Sequence, residues 1–108
     1  MSFRGDTGHF KMKFSEKVYK ICKKIPEGKV STYKEISKTL KYKAYRAVGN
    51  TLNKNRNKYV PCHRVIKSNG FVGGFALGTK KKIQILKKEG IKIKNNKVID
   101  FEKVLYRF

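Results

Sequence analysis

The first pattern in the chain is an apolar stripe at helical spacing. Five residues form it: Phe14, Val18, Ile21, Cys22 and Ile25. Apolar residues three and four positions apart cover one face of a helix, and Pro26-Glu27-Gly28 predicts where this helix ends. Because Cys22 lies on the stripe, we expect its thiol to be buried and inert. The preceding residues 1–13 have little apolar periodicity, and we expect them to form a loose leader.

Two short helices joined by a tight turn are predicted next. Thr32, with Glu35 three residues later, has the form of a capping box and predicts a helix that continues through Leu40. The following helix has an apolar face made of Ala44, Ala47, Val48, Thr51 and Leu52. Its opposite face presents Arg46, Gly49, Asn50 and Asn53. This pair predicts a helix-turn-helix whose second helix lies on nucleic acid; an ordinary solvated face fits the same pattern.

Asparagine and glycine mark two turns in the second half of the chain. Asn69-Gly70 lies between Val65-Ile66 and Phe71-Val72, and this arrangement predicts a β-hairpin. Asn95-Asn96, between two further apolar runs, predicts a second hairpin. The closing segment 101–108 has apolar residues at the spacing of a helical turn.

A glycine-rich stretch and a lysine-rich helix lie between the two hairpins. The loop 73–78 either lets the backbone approach a ligand or simply joins a strand to a helix. Thr79 is expected to cap a helix that Gly90 closes. Lys80-Lys81-Lys82 crowd the first turn of this helix, where the helix dipole disfavours cations. These lysines could contact phosphate or could simply be solvated.

These elements predict one α/β (α+β) domain over residues 14–108, centred on a helix-turn-helix with a small β-hairpin as its wing. A chain of 108 residues has the usual size of one domain. No apolar run approaches the roughly 20 residues needed to cross a bilayer, and the N-terminus lacks the apolar stretch of a secretory signal. We therefore expect a cytoplasmic protein that does not contact a membrane.

The charge of the chain points to a polyanionic partner. Lysine and arginine number 28 against 7 acidic residues, a net charge of +21, which exceeds what solubility requires. A hot-environment proteome would also enrich lysine, but glutamate normally rises with it and has not done so here. A membrane surface is the weaker alternative, because no helix sets a basic face against a Trp/Phe/Leu stripe. Nucleic acid is the expected partner.

The chain has only two cysteines, Cys22 and Cys62, with no CxxC pair and no second Cys/His cluster. This pattern favours reduced thiols and indicates neither a disulfide framework nor a zinc site. Cys62 stands beside His63, and nearby positive charge lowers the pKa of a thiol, so Cys62 is a candidate nucleophile. Adjacent residues on an extended chain point to opposite faces. From spacing alone, an inert Cys62 is the favoured interpretation.

Pro61-Cys62-His63-Arg64-Val65 resembles the active-site signature of the O6-alkylguanine-DNA alkyltransferases, also called methylated-DNA-protein-cysteine methyltransferases. Other segments resemble family motifs in the same order: Gly28-Lys29-Val30-Ser31-Thr32-Tyr33, Arg46-Ala47-Val48-Gly49 and Lys88-Glu89-Gly90. The resemblance covers about residues 14–90. Several motifs in one order coincide by chance very rarely.

The resemblance implies a role for each matched side chain. Cys62 would accept the alkyl group, His63 would draw its proton through water, and Glu89 would orient His63. Tyr33 would rotate the target phosphate and donate a hydrogen bond to the leaving guanine, while Arg46 would fill the gap left by the flipped base. Nothing in the sequence cleaves the resulting thioether, so one turnover per molecule is expected. The transfer needs no metal and no organic cofactor.

The expected partner is double-stranded DNA that contains an alkylated guanine, and a monomer is expected to bind it. The residues expected to bind DNA are Arg46, Tyr33, Gly49, Asn50, Asn53 and Arg64. Those expected to line the substrate pocket are Phe75, Ala76, Val72 and Gly73. Asn55 is expected to brace the loop that carries Cys62.

The chain departs from the family pattern near the pocket. The family usually has Tyr followed by Ser or another small residue, then paired glycines, where this chain has Phe75-Ala76-Leu77-Gly78. Without side-chain hydroxyls, the backbone N–H groups of Phe75 and Ala76 are the candidate donors to the guanine oxygen. Arg56 replaces the usual Pro, and the link from Asn55 to Pro61 is one residue shorter. Many relatives also carry an N-terminal domain, and its absence predicts that this catalytic domain folds alone.

Three functions compete at this stage. The leading hypothesis is an alkyltransferase that is consumed by its own reaction. The chief rival is a noncatalytic alkyltransferase-like protein that binds lesions; proteins of that class resemble this chain with the acceptor cysteine replaced, so Cys62 argues against it. The third is a winged-helix transcription regulator, which would bind selected sequences through its second helix.

Overall fold

Three helices pack together in the N-terminal half of the chain: α1 (Phe14–Cys22), α2 (Tyr33–Leu40) and α3 (Tyr45–Asn53). The structure is a computed structural model, and it describes residues 13–41, 45–55, 57 and 59–108. The predicted stripe of α1 is buried at four of its five positions: Val18, Ile21, Cys22 and Ile25. The predicted leader, apart from Lys13, lies outside the described residues.

Helix α2 begins as its sequence predicts. The side chain of Thr32 accepts a hydrogen bond from the backbone N–H of Glu35 at 3.0 Å, which satisfies one of the N–H groups left open at a helix start. The helix ends at Leu40, and the next residue, Lys41, has a left-handed φ of 64°. Thr32 therefore fixes the start of the helix and with it the position of Tyr33, the first helical residue.

The predicted apolar face of α3 is correct at two central positions and wrong at a third. Val48 and Leu52 are buried, whereas Ala47 is exposed. Successive residues are rotated by about 100° around a helix, so Ala47 turns away from the face that Val48 and Leu52 share. The predicted contribution of Ala44 to this face lies outside the described residues.

A parallel strand pair joins the two halves of the chain. Strand β1 (Ser31–Thr32) pairs with β2 (Val65–Ile66), with Ser31 opposite Val65. The predicted hairpin around Asn69-Gly70 is therefore wrong as a strand pair, although its turn is present. Lys67 N–H donates to the carbonyl of Phe71 at 3.0 Å, but strand β2 pairs with β1 instead, because its buried residues are shared between the two halves of the core.

The second predicted hairpin is confirmed. Strands β3 (Ile93–Lys94) and β4 (Lys97–Val98) are antiparallel. The two residues between them, Asn95 and Asn96, have φ values of 52° and 63°. Two left-handed residues form the turn that matches the twist of a hairpin, and asparagine tolerates that conformation. This hairpin forms the wing of the domain.

Helix α4 (Thr79–Lys88) follows the glycine-rich loop. The prediction that Thr79 caps this helix is wrong: the capping position is Gly78, with a φ of 95°. The hydroxyl of Thr79 instead donates to the carbonyl of Gly73 at 3.1 Å and closes the preceding loop. Gly90, with a φ of 92°, follows the end of the helix as predicted.

The C-terminal segment runs along β1. The short helix α5 (Phe101–Val104) stops where Leu105 forms a parallel bridge with Val30. Ser31 Oγ donates to the carbonyl of Tyr106 at 2.8 Å. The predicted helical turn over 101–108 is therefore four residues long, because the remaining backbone pairs with the start of β1.

Two apolar clusters fill the interior. One gathers α1, α2 and α3 around the segment that precedes β2, and it contains both Cys22 and Cys62. The other lies between α4 and the strands, around Ile66, Val72 and Leu86. Helices and small sheets thus form one mixed α/β fold, as predicted. In the described part of the chain, no helix has the length and apolar character to span a membrane.

Candidate active site

Cys62 opens a short 3-10 turn, Cys62–Arg64, at the junction between the first core cluster and β2. Its side chain is only 5% exposed. Asn55 donates its side-chain amide to the Cys62 sulfur at 2.9 Å. The carbonyl oxygen of the same amide accepts from Asn57 N–H at 2.9 Å, which fixes the orientation of Asn55. Asn55, which was expected to brace the loop that carries Cys62, thus contacts the sulfur directly.

A cavity of about 350 Å³ opens beside the sulfur. Among the described residues, its wall includes Asn55, Asn57, Val60, Cys62, His63, Phe75, Ala76, Leu77 and Ile85. An apolar wall with a few polar groups is typical of a site that binds a small organic group. Such a cavity has room for one base beside Cys62.

Two of the four predicted pocket residues, Phe75 and Ala76, line this cavity. Val72 does not, because its side chain is fully buried in the second core cluster. Gly73 does not either; its φ is 77°, and an added Cβ would lie 3.1 Å from the side chain of Lys67. The carbonyls of Val72 and Gly74 instead accept hydrogen bonds from Lys82.

The carboxylate of Glu89 contacts both side chains that follow Cys62. Its Oε2 lies 2.9 Å from His63 Nε2 and accepts from Arg64 Nη2 at 2.7 Å. Arg64 Nε donates to the other oxygen at 3.0 Å. Burial alone would raise the pKa of Glu89, but the hydrogen bonds from Arg64 and His63 lower it. Glu89 is therefore a carboxylate that holds the imidazole of His63 in place.

Arg64, which was expected to bind DNA, makes its hydrogen bonds inside the protein. Its guanidinium makes two bonds to Glu89 and donates a third to the carbonyl of Ile25 at 2.9 Å. Its side chain is 16% exposed. Arg64 thus ties the segment that follows α1 to the active-site turn. A guanidinium engaged in three directions inside the protein has few N–H groups left for a phosphate.

The surroundings of Cys62 favour its thiolate. A hydrogen bond from Cys22 lowers the pKa of Cys62, burial opposes that effect, and the Asn55 amide and the charge of Lys82 lower the pKa further. The net shift is downward. Cys22 itself is buried, as predicted. Its contact with Cys62 could not be predicted from its place on the stripe of α1.

Lys82 is a site residue that the sequence did not reveal. It is fully buried, although phosphate contact or solvation was expected. Its Nζ donates to three backbone carbonyls, those of Val65 (2.7 Å), Val72 (2.7 Å) and Gly74 (3.0 Å). Burial lowers its pKa to about 7, and the negative charge of the Cys62 thiolate opposes that shift. The only signal in the sequence was the conflict of a lysine with the helix dipole.

Tyr33 lies between Lys82 and α3. Its hydroxyl is 3.5 Å from Lys82 Nζ, and its ring is 3.9 Å from where a Cβ on Gly49 would lie. Burial, together with the negative charge of the Cys62 thiolate, raises the pKa of Tyr33 to about 12. Its hydroxyl is therefore protonated at neutral pH and can donate. Gly49 packs towards Tyr33, away from the polar face predicted for it.

The outer face of α3 presents the remaining predicted DNA contacts. Arg46, Asn50 and Asn53 are all exposed. An added Cβ on Gly74 would lie 3.7 Å from the amide of Asn53, so this face continues into the loop that leads to the cavity. A cation and two amides on one exposed helix face can contact phosphates and base edges.

Lys82→Met is expected to lower the free energy of unfolding by about 3 kcal/mol, because three carbonyls, two of them in buried contacts, lose their donor. Urea unfolding at pH 6 measures this loss. Lys81→Met, at the exposed neighbouring position, is the matched control and is expected to change stability by less than about 0.5 kcal/mol. Equal losses in the two variants would contradict the structural role of Lys82.

The same pair of variants tests the titration of Lys82. Its pKa is about 7 in the folded protein against an ordinary value of 10.5. Between these values the unfolded chain binds more protons, so this group makes the protein more stable as pH rises from 7 to 10. The stability difference between the wild type and Lys82→Met is expected to widen over that interval. A difference independent of pH would contradict the low pKa.

Comparison with known proteins places the site in context. A protein-family model described as "6-O-methylguanine DNA methyltransferase, DNA binding domain" matches residues 13–91. The methylated-DNA–protein-cysteine methyltransferase of Saccharolobus solfataricus is 48% identical over 81 residues, which cover 74% of this chain and 52% of that protein. A bifunctional methyltransferase/endonuclease of Picrophilus torridus is 41% identical over 93 residues, 84% of this chain and 30% of that protein. The chain thus matches about half of one relative's length and less of the other's.

Solved structures are similar over much of the chain. Atl1 from S. pombe, in complex with damaged DNA containing O6-carboxymethylguanine, superposes with a TM-score of 0.79 at 29% identity, covering 92% of this chain and 100% of Atl1. The O6-methylguanine-DNA methyltransferase of Pyrococcus kodakaraensis superposes with a TM-score of 0.67 at 35% identity, covering 74% of this chain and 47% of that chain. The span matched by the family model includes the cavity, the active-site turn and Glu89.

Proposed function

Because the chain belongs to the 6-O-methylguanine DNA methyltransferase family, we propose that it repairs DNA by moving a methyl or other alkyl group from guanine O6 to Cys62. The observation that carries this proposal is the position of the Cys62 sulfur. It lies at the wall of a cavity large enough for one base, with an amide donor on one side and His63 close by. A shielded thiolate facing such a cavity is suited to attack an alkyl carbon.

The transfer begins with loss of the Cys62 proton. We propose that His63 takes this proton through a water molecule. Glu89 Oε2, 2.9 Å from His63 Nε2, orients the imidazole and stabilises its protonated form. The sulfur then attacks the alkyl carbon, a carbon–sulfur bond forms, and the carbon–oxygen bond to guanine breaks. The bonding electrons leave with the guanine oxygen. The protein retains a thioether, so each molecule acts once.

The departing guanine needs a proton or a hydrogen bond to balance its new charge. Tyr33 is the proposed donor, since its hydroxyl stays protonated at neutral pH. Lys82, 3.5 Å from that hydroxyl, is charged in part of the molecules at pH 7 and stabilises charge that develops on Tyr33. Backbone N–H groups at Phe75 and Ala76, on the cavity wall, are further candidate donors. No metal or organic cofactor takes part in this scheme.

The target base must leave the duplex to reach Cys62. Flipping a base costs a few kcal/mol, and phosphate contacts by a chain with a net charge of +21 offset part of that cost. We propose that the exposed face of α3 lies on the DNA and that Arg46 occupies the space of the flipped base. The proposed partner is therefore double-stranded DNA with an alkylated guanine, bound inside the cell by a monomer.

Arg46→Ala is expected to slow repair of a lesion in duplex DNA by about 10–100-fold, because the flipped state loses the group that fills its gap. Transfer from the free alkylated base, which needs no flipping, is expected to be unchanged. Arg107→Ala, which removes the same charge from an exposed position in the C-terminal segment, is the matched control. Equal slowing by both variants would show a general charge effect and contradict the role of Arg46.

Lesion binding without chemistry is the second candidate function. It is favoured by the likeness to S. pombe Atl1, which binds damaged DNA containing O6-carboxymethylguanine in its crystal structure and which this chain covers over its whole length. Proteins of that class resemble this chain with the acceptor cysteine replaced, whereas Cys62 is present here at the cavity wall. The thiol therefore favours transfer.

The experiment that separates these functions counts repaired guanines. The protein is mixed with a tenfold excess of duplex that holds one O6-methylguanine, and the DNA is digested to nucleosides and quantified. Loss of one O6-methylguanine per protein molecule, followed by a plateau, is the expected result. No loss despite tight lesion binding would support the noncatalytic function, and loss beyond one per molecule would contradict the single turnover.

A further inference from the structure

Gly73 and Gly74 form the border between the exposed face of α3 and the cavity. An added Cβ on Gly74 would lie 3.7 Å from the amide of Asn53 on α3. The next two residues of the loop, Phe75 and Ala76, already line the cavity. A flipped nucleotide stays attached to its own backbone. If the duplex lies on α3 and the base enters the cavity, the phosphates beside that base therefore lie over this border.

Two polar side chains, Lys67 and Tyr33, lie beside Gly73 at the border. An added Cβ on Gly73 would be 3.1 Å from the side chain of Lys67 and 3.7 Å from the hydroxyl of Tyr33, so both approach the same point. Lys67 is exposed, and among the described residues no carboxylate forms an ion pair with it. Its ammonium group is therefore available to an anion from outside the protein.

The backbone on which Lys67 lies is fixed on both sides. Lys67 N–H donates to the carbonyl of Phe71 at 3.0 Å, and the carbonyl of Lys67 accepts from Gly70 N–H at 3.0 Å. These two bonds close the turn that begins at Lys67. The carbonyls of residues 72, 73 and 74 all accept hydrogen bonds from side chains of α4. A cation held on such a base loses little freedom when it binds.

We propose that Lys67 binds a phosphate next to the flipped nucleotide and so holds the backbone of that nucleotide at the mouth of the cavity. A lysine ammonium is a compact cation that binds phosphate oxygens. The role rests on the proposed function in one respect, that a base of the duplex enters the cavity. The contact itself precedes the chemistry and is measurable without alkyl transfer.

Lys97 provides a matched control. It is exposed too, and its side chain lies against the same turn, 3.4 Å from where a Cβ on Gly70 would be. Its ammonium, however, lies 5.5 Å from the centre of the Phe71 ring. Lys67→Gln and Lys97→Gln thus remove the same charge from the same turn, but only the first removes it from the point that Tyr33 shares.

The first measurement is affinity for a duplex with one O6-methylguanine, by fluorescence anisotropy, in protein that also carries Cys62→Ser and so does not transfer the alkyl group. Loss of one phosphate contact weakens binding about fivefold at 0.15 M salt and reduces the slope of log K against log salt by about 0.9. Lys67→Gln is expected to show both changes and Lys97→Gln neither. Equal losses in the two variants would reflect total charge alone and would overturn the proposal.

The second measurement identifies the phosphate. Duplexes with a single neutral methylphosphonate, placed at one position at a time on either side of the lesion, are bound to the same proteins. At the contacted position the neutral group is expected to weaken binding about fivefold with Lys67 present and less than about twofold in Lys67→Gln, because that contact is already lost. Equal weakening in both proteins at every position would overturn the proposal. Thermal unfolding of each variant shows that folded protein was measured.

Failure of this proposal is distinguishable from failure of the proposed function. If protein with Cys62 leaves O6-methylguanine in duplex DNA unrepaired, the alkyl transfer fails, while a methylphosphonate effect that depends on Lys67 still establishes the phosphate contact. If repair proceeds and Lys67→Gln binds DNA as Lys97→Gln does, the transfer stands and the role of Lys67 is overturned.

Discussion

Cys62→Ser is expected to slow alkyl transfer by at least about 10³-fold while leaving binding to lesion DNA intact. Serine has nearly the same shape and still accepts a hydrogen bond from Asn55, so the cavity is preserved. Its hydroxyl does not ionise near neutral pH, however, and an alcohol without a strong base is a poor nucleophile. Single-turnover repair of a duplex with one O6-methylguanine measures the rate, and fluorescence anisotropy with the same duplex measures affinity.

The chain offers a matched control for this substitution. Cys22→Ser makes the same chemical change at the other cysteine and is expected to retain transfer at close to the wild-type rate. Repair by Cys62→Ser at the wild-type rate would mean that another residue accepts the alkyl group. Loss of lesion binding together with transfer would mean that the substitution damages the fold or the DNA-binding surface.

Glu89→Gln is expected to have the second largest effect, a loss of about 10²-fold in transfer rate. The carboxylate serves His63 through one oxygen and Arg64 through both. A neutral amide has one acceptor oxygen, so either His63 or Arg64 then faces an N–H group. The imidazole loses both its orientation and the charge that stabilises its protonated form. Single-turnover repair measures this change.

The same substitution is expected to destabilise the fold by about 2 kcal/mol at neutral pH, as urea unfolding will show. The pKa of Glu89 is lowered in the folded protein, so its stabilisation is present above the ordinary value of 4.5 and is lost as pH falls below it. Glu102→Gln, at a side chain that is 77% exposed, is the control. A transfer rate for Glu89→Gln within twofold of Glu102→Gln would contradict the proposed relay.

Local patterns were sufficient to predict the helices and the wing. The stripe of α1, the Thr32 cap of α2 and the asparagine turn between β3 and β4 each depend on residues within a few positions of one another. The pairing of β1 with β2 was missed, since it joins residues more than thirty positions apart. Asn69-Gly70 predicts a turn. A turn alone does not determine which strand will pair with the strand that precedes it.

The sequence predicted only those site residues that belong to a recognisable local motif. The family motifs drew attention to Cys62, His63 and Glu89, and the structure brings His63 and Glu89 together. Lys82 was expected to contact phosphate or solvent, and Arg64 was expected to bind DNA. Their acceptors come from distant segments, the carbonyls of 65, 72 and 74 for Lys82 and the carboxylate of Glu89 for Arg64.

Intact mass spectrometry tests the central claim most directly. The protein is incubated with excess duplex that contains one O6-methylguanine, beside a Cys62→Ala control, and the modified peptide is then sequenced. The account predicts that the wild type alone gains the mass of one methyl group, and that the peptide with Cys62 carries it. An unchanged mass in protein that binds the lesion, or the same gain in Cys62→Ala, would contradict it.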